Sequence, residues 1–122
     1  MPSTLKFLDL FAGAGGLSEG FIRAGFQPIA HVEADASACF TLKTRQAYHW
    51  LKNNNSIDIY VKYLQNELSR DELYNAVPTN EIDSVINAFI GAETLSEIFQ
   101  KVDQQIGESK LDLIIGGPPC HA

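Results

Sequence analysis

A glycine-rich stretch near the N-terminus is the first place in the chain where the residue types indicate ligand chemistry. In FLDLFAGAGGLSEG, which begins at Phe7, three glycines (Gly13, Gly15 and Gly16) follow an apolar run and precede a segment with helical spacing. Glycines after a parallel strand let the backbone approach a ligand closely, and the next helix presents free N–H groups to an anion. The stretch therefore predicts a ligand-binding loop.

An acidic residue, Glu33, ends the second apolar run of the sequence. It stands about 20 residues beyond Gly13, where a carboxylate can accept hydrogen bonds from ribose hydroxyls. Its position alone fits a solvated loop carboxylate equally well, but the preceding glycine loop favours ligand binding. A dinucleotide site needs G-x-G-x-x-G, and Ser18 occupies the place of the third glycine. We therefore expect an adenosine-containing ligand other than NAD.

The second informative stretch is GGPPC, which ends at Cys120. Two glycines permit a close turn and two prolines stiffen it, so the cysteine is held rigidly. If the apolar run at residues 111–115 lies beside the first strand, opposite the second, Cys120 faces the ligand of the glycine loop. An isolated cysteine is more often a buried structural residue, and that interpretation is kept for Cys39.

Composition sets limits on the function. The chain has 122 residues, of which 45% are hydrophobic and 20% charged, as in one soluble globular domain or part of one. Its net charge of −6 argues against strong nucleic-acid binding by this chain alone, although a local basic patch stays open. The cysteines and histidines are too few and too scattered for a metal site. Without a membrane span or signal peptide, the expected location is the cytoplasm.

Apolar runs and helix-like segments alternate along the first fifty residues, which predicts a parallel α/β sheet. The predicted strands are residues 5–11, 28–32 and 111–115. Helices are expected from Leu17 up to a C-cap at Gly25, over 36–50, and from Leu95 to Gly107. Residues 51–90 read largely as a helical insertion, with a capping box at Ser69 and Glu72 and a helical period that continues over 82–89.

FLDLFAGAGGLSEGF and GGPPC resemble the first and the catalytic motifs of the DNA (cytosine-5-)methyltransferases. The resemblance implies a Rossmann-like S-adenosylmethionine-dependent methyltransferase fold, in which residues 1–122 are the N-terminal, cofactor-binding portion of the catalytic domain. That portion has an incomplete parallel sheet and the insertion at about 51–90. The implied cofactor is S-adenosylmethionine, with S-adenosylhomocysteine as product. Phe11 would stack on the adenine, Gly13 and Gly15 would line the methionine, and Glu33 would bind the ribose; the other implied cofactor contacts are Ala12, Gly16, Ala34, Asn87 and Pro118.

The resemblance also implies a role for Cys120. Its thiolate would add to carbon 6 of a flipped-out cytosine, so that carbon 5 can accept the methyl group without a metal. Asn87 is the candidate for the adenine amino group, where the family normally has an aspartate; Asp58 and Asp83 are weaker candidates. His121 stands where the family usually has glutamine.

The family's remaining segments lie downstream of the catalytic cysteine, and this chain ends two residues after it. We expect a fragment or split subunit that is inactive alone and is completed by a C-terminal part or a second subunit. Its apolar sheet edge at 111–115 should favour self-association. Double-stranded DNA is the expected substrate of the complete enzyme and a cognate restriction endonuclease its partner, although a related branch modifies transfer RNA. The alternatives are a non-catalytic S-adenosylmethionine-binding module and a nicotinamide-dependent Rossmann oxidoreductase.

Overall fold

The computed structural model describes residues 4–117, so that Pro118, Cys120 and His121 lie outside the described residues. Within this range no helix is long and apolar enough to cross a membrane. The elements, in chain order, are β1 (Lys6–Leu10), α1 (Gly16–Arg23), β2 (Gln27–Glu33), α2 (Ala36–Asn53), α3 (Ile57–Leu64), α4 (Arg70–Asn75), α5 (Thr79–Asp83), β3 (Val85–Asn87), α6 (Leu95–Ile106) and β4 (Leu113–Gly116).

The four strands form one parallel sheet in the order β3-β2-β1-β4. β1 is central and pairs in parallel with both β2 and β4. The chain therefore moves outward from β1 to β3 and then returns to the other side of β1, which creates a crevice at the carboxyl ends of β1 and β4. The predicted α/β class and the placement of the last strand beside the first are confirmed, and β4 begins two residues later than expected.

Helices cover both faces of the sheet, and apolar side chains of the strands pack against them on each side. On one face, Leu8 and Val32 pack in a buried cluster with Ile98 and Val102 of α6. On the other, Phe7 contacts the ring of Phe21 on α1, at 5.6 Å between centroids. The same face packs against α2 through a cluster of Ala12, Cys39, Leu42 and Val85.

The helices between α2 and β3 pack on the C-terminal half of α2. Ala47 and Leu51 of α2 form a third buried cluster with Leu73 and Val77. The predicted capping box is confirmed: Oγ of Ser69 accepts from the backbone N–H of Glu72 at 3.1 Å, and Oε1 of Glu72 accepts from the N–H of Ser69 at 3.2 Å. This reciprocal pair satisfies two of the unpaired donors at the start of α4.

The helical interpretation of residues 82–89 is wrong beyond Asp83, because β3 occupies Val85–Asn87. Val85 is buried against α2, whereas Ile86 is buried in the cluster that includes α6. A strand that is buried on both faces is apolar at successive positions, so its sequence cannot be distinguished from a buried helix by periodicity. The larger division of the chain, with an insertion at about 51–90, stays a prediction.

Candidate functional site

The glycine loop is held in an unusual backbone conformation. Phe11, Gly13 and Gly15 have φ angles of 57°, 58° and 93°, all in the left-handed region. A non-glycine residue such as Phe11 is sterically strained in this region, and such strained residues cluster at functional sites. Gly15 caps the N-terminus of α1, and a Cβ at this position would lie 2.9 Å from Cδ2 of Leu42. A side chain at Gly15 would therefore be strained by the backbone conformation and would have to displace the end of the Leu42 side chain.

The carboxylate of Glu33 joins the glycine loop to the end of β2. Its Oε1 accepts from the backbone N–H of Gly13 and its Oε2 from the N–H of Asp35, both at 2.8 Å. The N–H of Ala12 donates to the carbonyl of Val32 at 3.0 Å. Each carboxylate oxygen has a second lone pair, so this clamp leaves Glu33 able to accept further hydrogen bonds from a ligand.

A cavity of about 260 Å³ lies beside this clamp, at the carboxyl ends of the strands. Its wall is mainly apolar and includes the side chains of two exposed phenylalanines, Phe11 and Phe89, which are 36% and 73% accessible. Glu33 is the carboxylate in this wall. Aromatic and apolar surfaces suit a flat ring, and a carboxylate beside them suits a hydroxyl-bearing group.

Comparison with known proteins shows which family the chain belongs to. The sequence profile described as "C-5 cytosine-specific DNA methylase" matches residues 5–89, which include β1, the glycine loop, Glu33 and β3. The chain belongs to this family.

The relatives of this C-5 cytosine DNA methylase chain are methyltransferases. It is 38% identical to a type II methyltransferase of Bacillus paralicheniformis, over 94% of this chain and 30% of that protein. It is 30% identical to a type II methyltransferase of Haemophilus parahaemolyticus, over 97% of this chain and 22% of that protein. A DNA (cytosine-5)-methyltransferase of Paracentrotus lividus is 26% identical to it, over 96% of this chain and 6% of that protein. The chain thus spans less than a third of each of these relatives, and no solved structure matches it.

The structure of the methylase chain brings together four of the residues expected at the cofactor: Phe11, Gly13, Glu33 and Ala34 line the cavity. Three others shape the loop behind it. Ala12 is buried in the cluster with Leu42, Gly15 packs against Leu42, and Gly16 begins α1. Pro118 and Cys120 lie outside the described residues, so their roles stay predictions.

Asn87 lies at the end of β3 but does not line the cavity. Its Nδ2 donates to the carbonyl oxygens of Glu33 and Ala34, at 3.1 and 2.9 Å. The amide therefore holds the main chain that carries the Glu33 carboxylate. Asp58 and Asp83, on α3 and α5, are likewise not among the lining residues. A contact between Asn87 and an adenine amino group stays a prediction.

Sequence reasoning missed the segment after β3, where Ala88, Phe89 and Ile90 line the cavity. These residues were hidden by the helical interpretation of 82–89. The signal that could have found them is positional, because every parallel strand of such a sheet delivers its following loop to the same edge. A short apolar run between two helices would then have indicated a third loop at the site.

Cys39 has the structural role expected of it. The residue is 3% exposed, and its Sγ donates to the carbonyl of Glu33 at 3.4 Å. Burial raises the pKa of the Cys39 thiol; the Glu33 carboxylate raises it further, against an opposing hydrogen bond involving Asn87. A protonated, enclosed thiol is a poor nucleophile.

Proposed function

We propose that this chain binds S-adenosylmethionine in the cavity beside Glu33 and contributes the catalytic thiol of a DNA (cytosine-5-)methyltransferase. The observation that carries the proposal is the clamp between Glu33 and Gly13. It places a carboxylate with remaining acceptor capacity against an apolar cavity, in a chain whose family is C-5 cytosine-specific DNA methylase.

The lining residues fit the adenosine half of this cofactor. Phe11 and Phe89 offer aromatic surface to a flat base, and Glu33 offers acceptors to ribose hydroxyls. The volume of 260 Å³ lies just below the range of about 300–1,000 Å³ for whole small-molecule sites. We infer that the cavity holds the nucleoside, and that the methionine end extends along the glycine loop.

The chemistry follows from the weak nucleophilicity of cytosine. When bound, S-adenosylmethionine would supply an electrophilic methyl group on a sulfonium. The thiolate of Cys120 would add to carbon 6, so that carbon 5 gains the electron density to accept that methyl. Loss of the carbon 5 proton to a base then restores the double bond and expels the thiolate. The cytosine must leave the duplex to reach these groups.

DNA is the proposed substrate because one relative is named a DNA (cytosine-5)-methyltransferase. The type II methyltransferase names of other relatives support a restriction endonuclease as biological partner. The groups that hold the cytosine are proposed to come from a further segment or a second subunit, since those relatives are more than three times as long as the part matched here.

The deciding experiment is calorimetric titration of the folded chain with S-adenosylmethionine, with NAD as the control ligand and circular dichroism to verify folding. We expect binding of the first and not of the second. Binding of NAD alone would support a nicotinamide enzyme, and a folded chain that binds neither would contradict the proposed site.

Variants locate the binding to the cavity. Glu33→Ala should weaken S-adenosylmethionine binding by about 1.5–3 kcal/mol, or roughly 10- to 150-fold, which is the contribution of hydrogen bonds to a charged group. Phe89→Ala should also weaken binding, whereas Phe99→Ala is a matched control that removes an exposed phenylalanine of α6. Equal affinities for Phe89→Ala and Phe99→Ala would exclude Phe89 from the site.

Cys120→Ser separates the catalytic proposal from a non-catalytic binding module. The variant should keep its affinity for S-adenosylmethionine, because the thiol acts on the cytosine and not on the nucleoside. When the chain is combined with the segment that completes the enzyme, methyl transfer to duplex DNA should be abolished. Retained transfer would contradict the assigned nucleophile.

A further inference from the structure

A second groove, of about 580 Å³, is lined by residues of helices α1 to α4 and shares no lining residue with the cofactor cavity proposed beside Glu33. It contains all three arginines of the sequence, each from a different helix: Arg23 of α1, Arg45 of α2 and Arg70 of α4. Its aromatic lining includes Phe40, Tyr60 and Tyr63. We call this surface the arginine groove. The chain as a whole has a net charge of −6, so these guanidinium groups form a positive patch on a negatively charged protein.

Internal contacts leave the positive charge of the arginine groove largely available. Its carboxylate, Glu19, is engaged by Nη1 of Arg45 at 3.1 Å and by Nε2 of His49 at 2.9 Å. Arg70 lies over the ring of Phe40, 3.7 Å from its centroid. Stacking uses the face of a guanidinium and leaves its N–H edge able to donate. Lys43 lies 5.5 Å from the same ring and extends the positive rim.

The chemistry of the arginine groove matches a phosphate backbone. Guanidinium forks bind phosphate oxygens with two parallel hydrogen bonds, and neighbouring tyrosines can contact sugars and bases. Three arginines on separate helices suit an extended polyanion better than one small anion. We propose that the arginine groove contacts the sugar-phosphate backbone of duplex DNA, outside the site of methyl transfer. The choice of DNA among polyanions rests on the proposed function.

The position of the groove defines what this contact does. α1 begins at Gly16, in the loop beside the cofactor cavity, and ends at Arg23, in the arginine groove. A backbone contact there would orient the duplex relative to the glycine loop without reading base sequence, since phosphate contacts position a protein and carry no sequence information.

The test is fluorescence anisotropy of a labelled duplex, titrated with the full chain at several salt concentrations. Arg23→Ala/Arg70→Ala leaves Arg45 in place to pair with Glu19, and Lys101→Ala/Lys110→Ala removes the same charge from exposed positions outside the groove. We expect the arginine pair to weaken binding at least about 10-fold at 50 mM salt and to reduce the salt slope by about 1.8, at 0.9 for each lost phosphate contact. The lysine pair should change binding less than about 2-fold in the same assay.

Three outcomes would overturn the proposal: no binding of the duplex by the wild-type chain at 50 mM salt, equal losses in the arginine and lysine pairs, or equally effective displacement by polyglutamate of the same charge. Polyglutamate displacement would indicate an acidic protein partner. Arg23→Lys/Arg70→Lys, with the charge restored, should recover part of the affinity and exclude misfolding as the cause. S-adenosylmethionine affinity, measured on the same variants, should not change, so a failed cofactor site and a failed groove give different results.

Discussion

Asp9 and His31 are register partners on neighbouring strands, and Nδ1 of His31 lies 3.6 Å from Oδ2 of Asp9 in the interior. Both side chains are at most 2% exposed, and neither has a hydrogen-bond partner among residues 4–117. Each precedes a residue of the cavity wall by two positions, Asp9 before Phe11 and His31 before Glu33. This buried polar pair therefore lies directly behind the site, at matched positions of β1 and β2.

Removing one member of this pair should be costly. Asp9→Ala leaves the imidazole of His31 buried with no carboxylate beside it, and a buried polar group left without a partner costs about 1–3 kcal/mol of the free energy of unfolding. Urea denaturation would measure the loss. The double variant Asp9→Leu/His31→Leu should lose less stability than Asp9→Ala, because the apolar replacements remove both buried polar groups. A loss of stability below about 1 kcal/mol for Asp9→Ala would contradict a stabilising contact between the two side chains.

Replacing two glycines, one at the start of α1 and one within it, by alanine should change the stability in opposite directions. Gly15→Ala meets Leu42 and must adopt φ near 93°, so we expect a loss of about 1–3 kcal/mol. Gly20→Ala lies within the same helix with open space around its Cβ, and should gain about 0.5–1 kcal/mol. Thermal unfolding of both variants checks the prediction, which fails if both shift the midpoint the same way.

Glu81 should make stability fall as the pH rises above 4.5. Burial raises the pKa of its carboxyl, so the folded chain holds the proton to higher pH than the unfolded chain. Stability is then lost as the pH rises through the folded-state pKa. Glu81→Gln keeps an oxygen for the Nε2 of Gln46, 3.4 Å away, and should be more stable than wild type at pH 7 but not at pH 4. Denaturation at both pH values measures the difference.

Glu19 should have the opposite effect on the pH dependence of stability, and it therefore serves as the control for Glu81. Burial raises the pKa of Glu19, but the hydrogen bonds and charges of His49 and Arg45 outweigh this effect and lower the pKa below 4.5. Its stabilising contribution is therefore present above the unfolded-state value and is lost as the pH falls through the folded-state value. Glu19→Gln should be less stable than wild type at pH 7, with the difference shrinking in acid. If Glu19→Gln and Glu81→Gln changed the stability at pH 7 in the same direction, this account would be refuted.

Cys39 should be nearly inert in the folded chain. Its thiol is buried and its pKa is raised by that burial, so little thiolate is present or accessible at neutral pH. In a Cys120→Ser background, labelling of Cys39 by a thiol reagent should become rapid only after unfolding in urea. Rapid labelling under native conditions would show that the α2 side of the sheet opens readily.

Features carried by neighbouring residues could be read from the amino-acid order alone. β1, the glycine loop and α1 follow from an apolar run, three glycines and a helical period within twenty residues. The capping box at Ser69 needs only a glutamate three positions later. Glu33 was also found, because its distance from Gly13 reflects the length of one β-α-β unit. In each case the deciding contacts are local or are set by the spacing of one such unit.

Features that depend on distant packing required the folded chain. Val85 and Ile86 form a strand because α2 and α6 bury them from opposite sides, and the pairing of this strand with β2 brings Phe89 to the cavity beside Glu33. The arginine groove likewise joins Arg23, Arg45 and Arg70 from three helices. A linear pattern records the residue types, but the angle and depth at which helices pack determine which of those residues share a surface. The cavity wall and the charged groove are therefore properties of the tertiary structure.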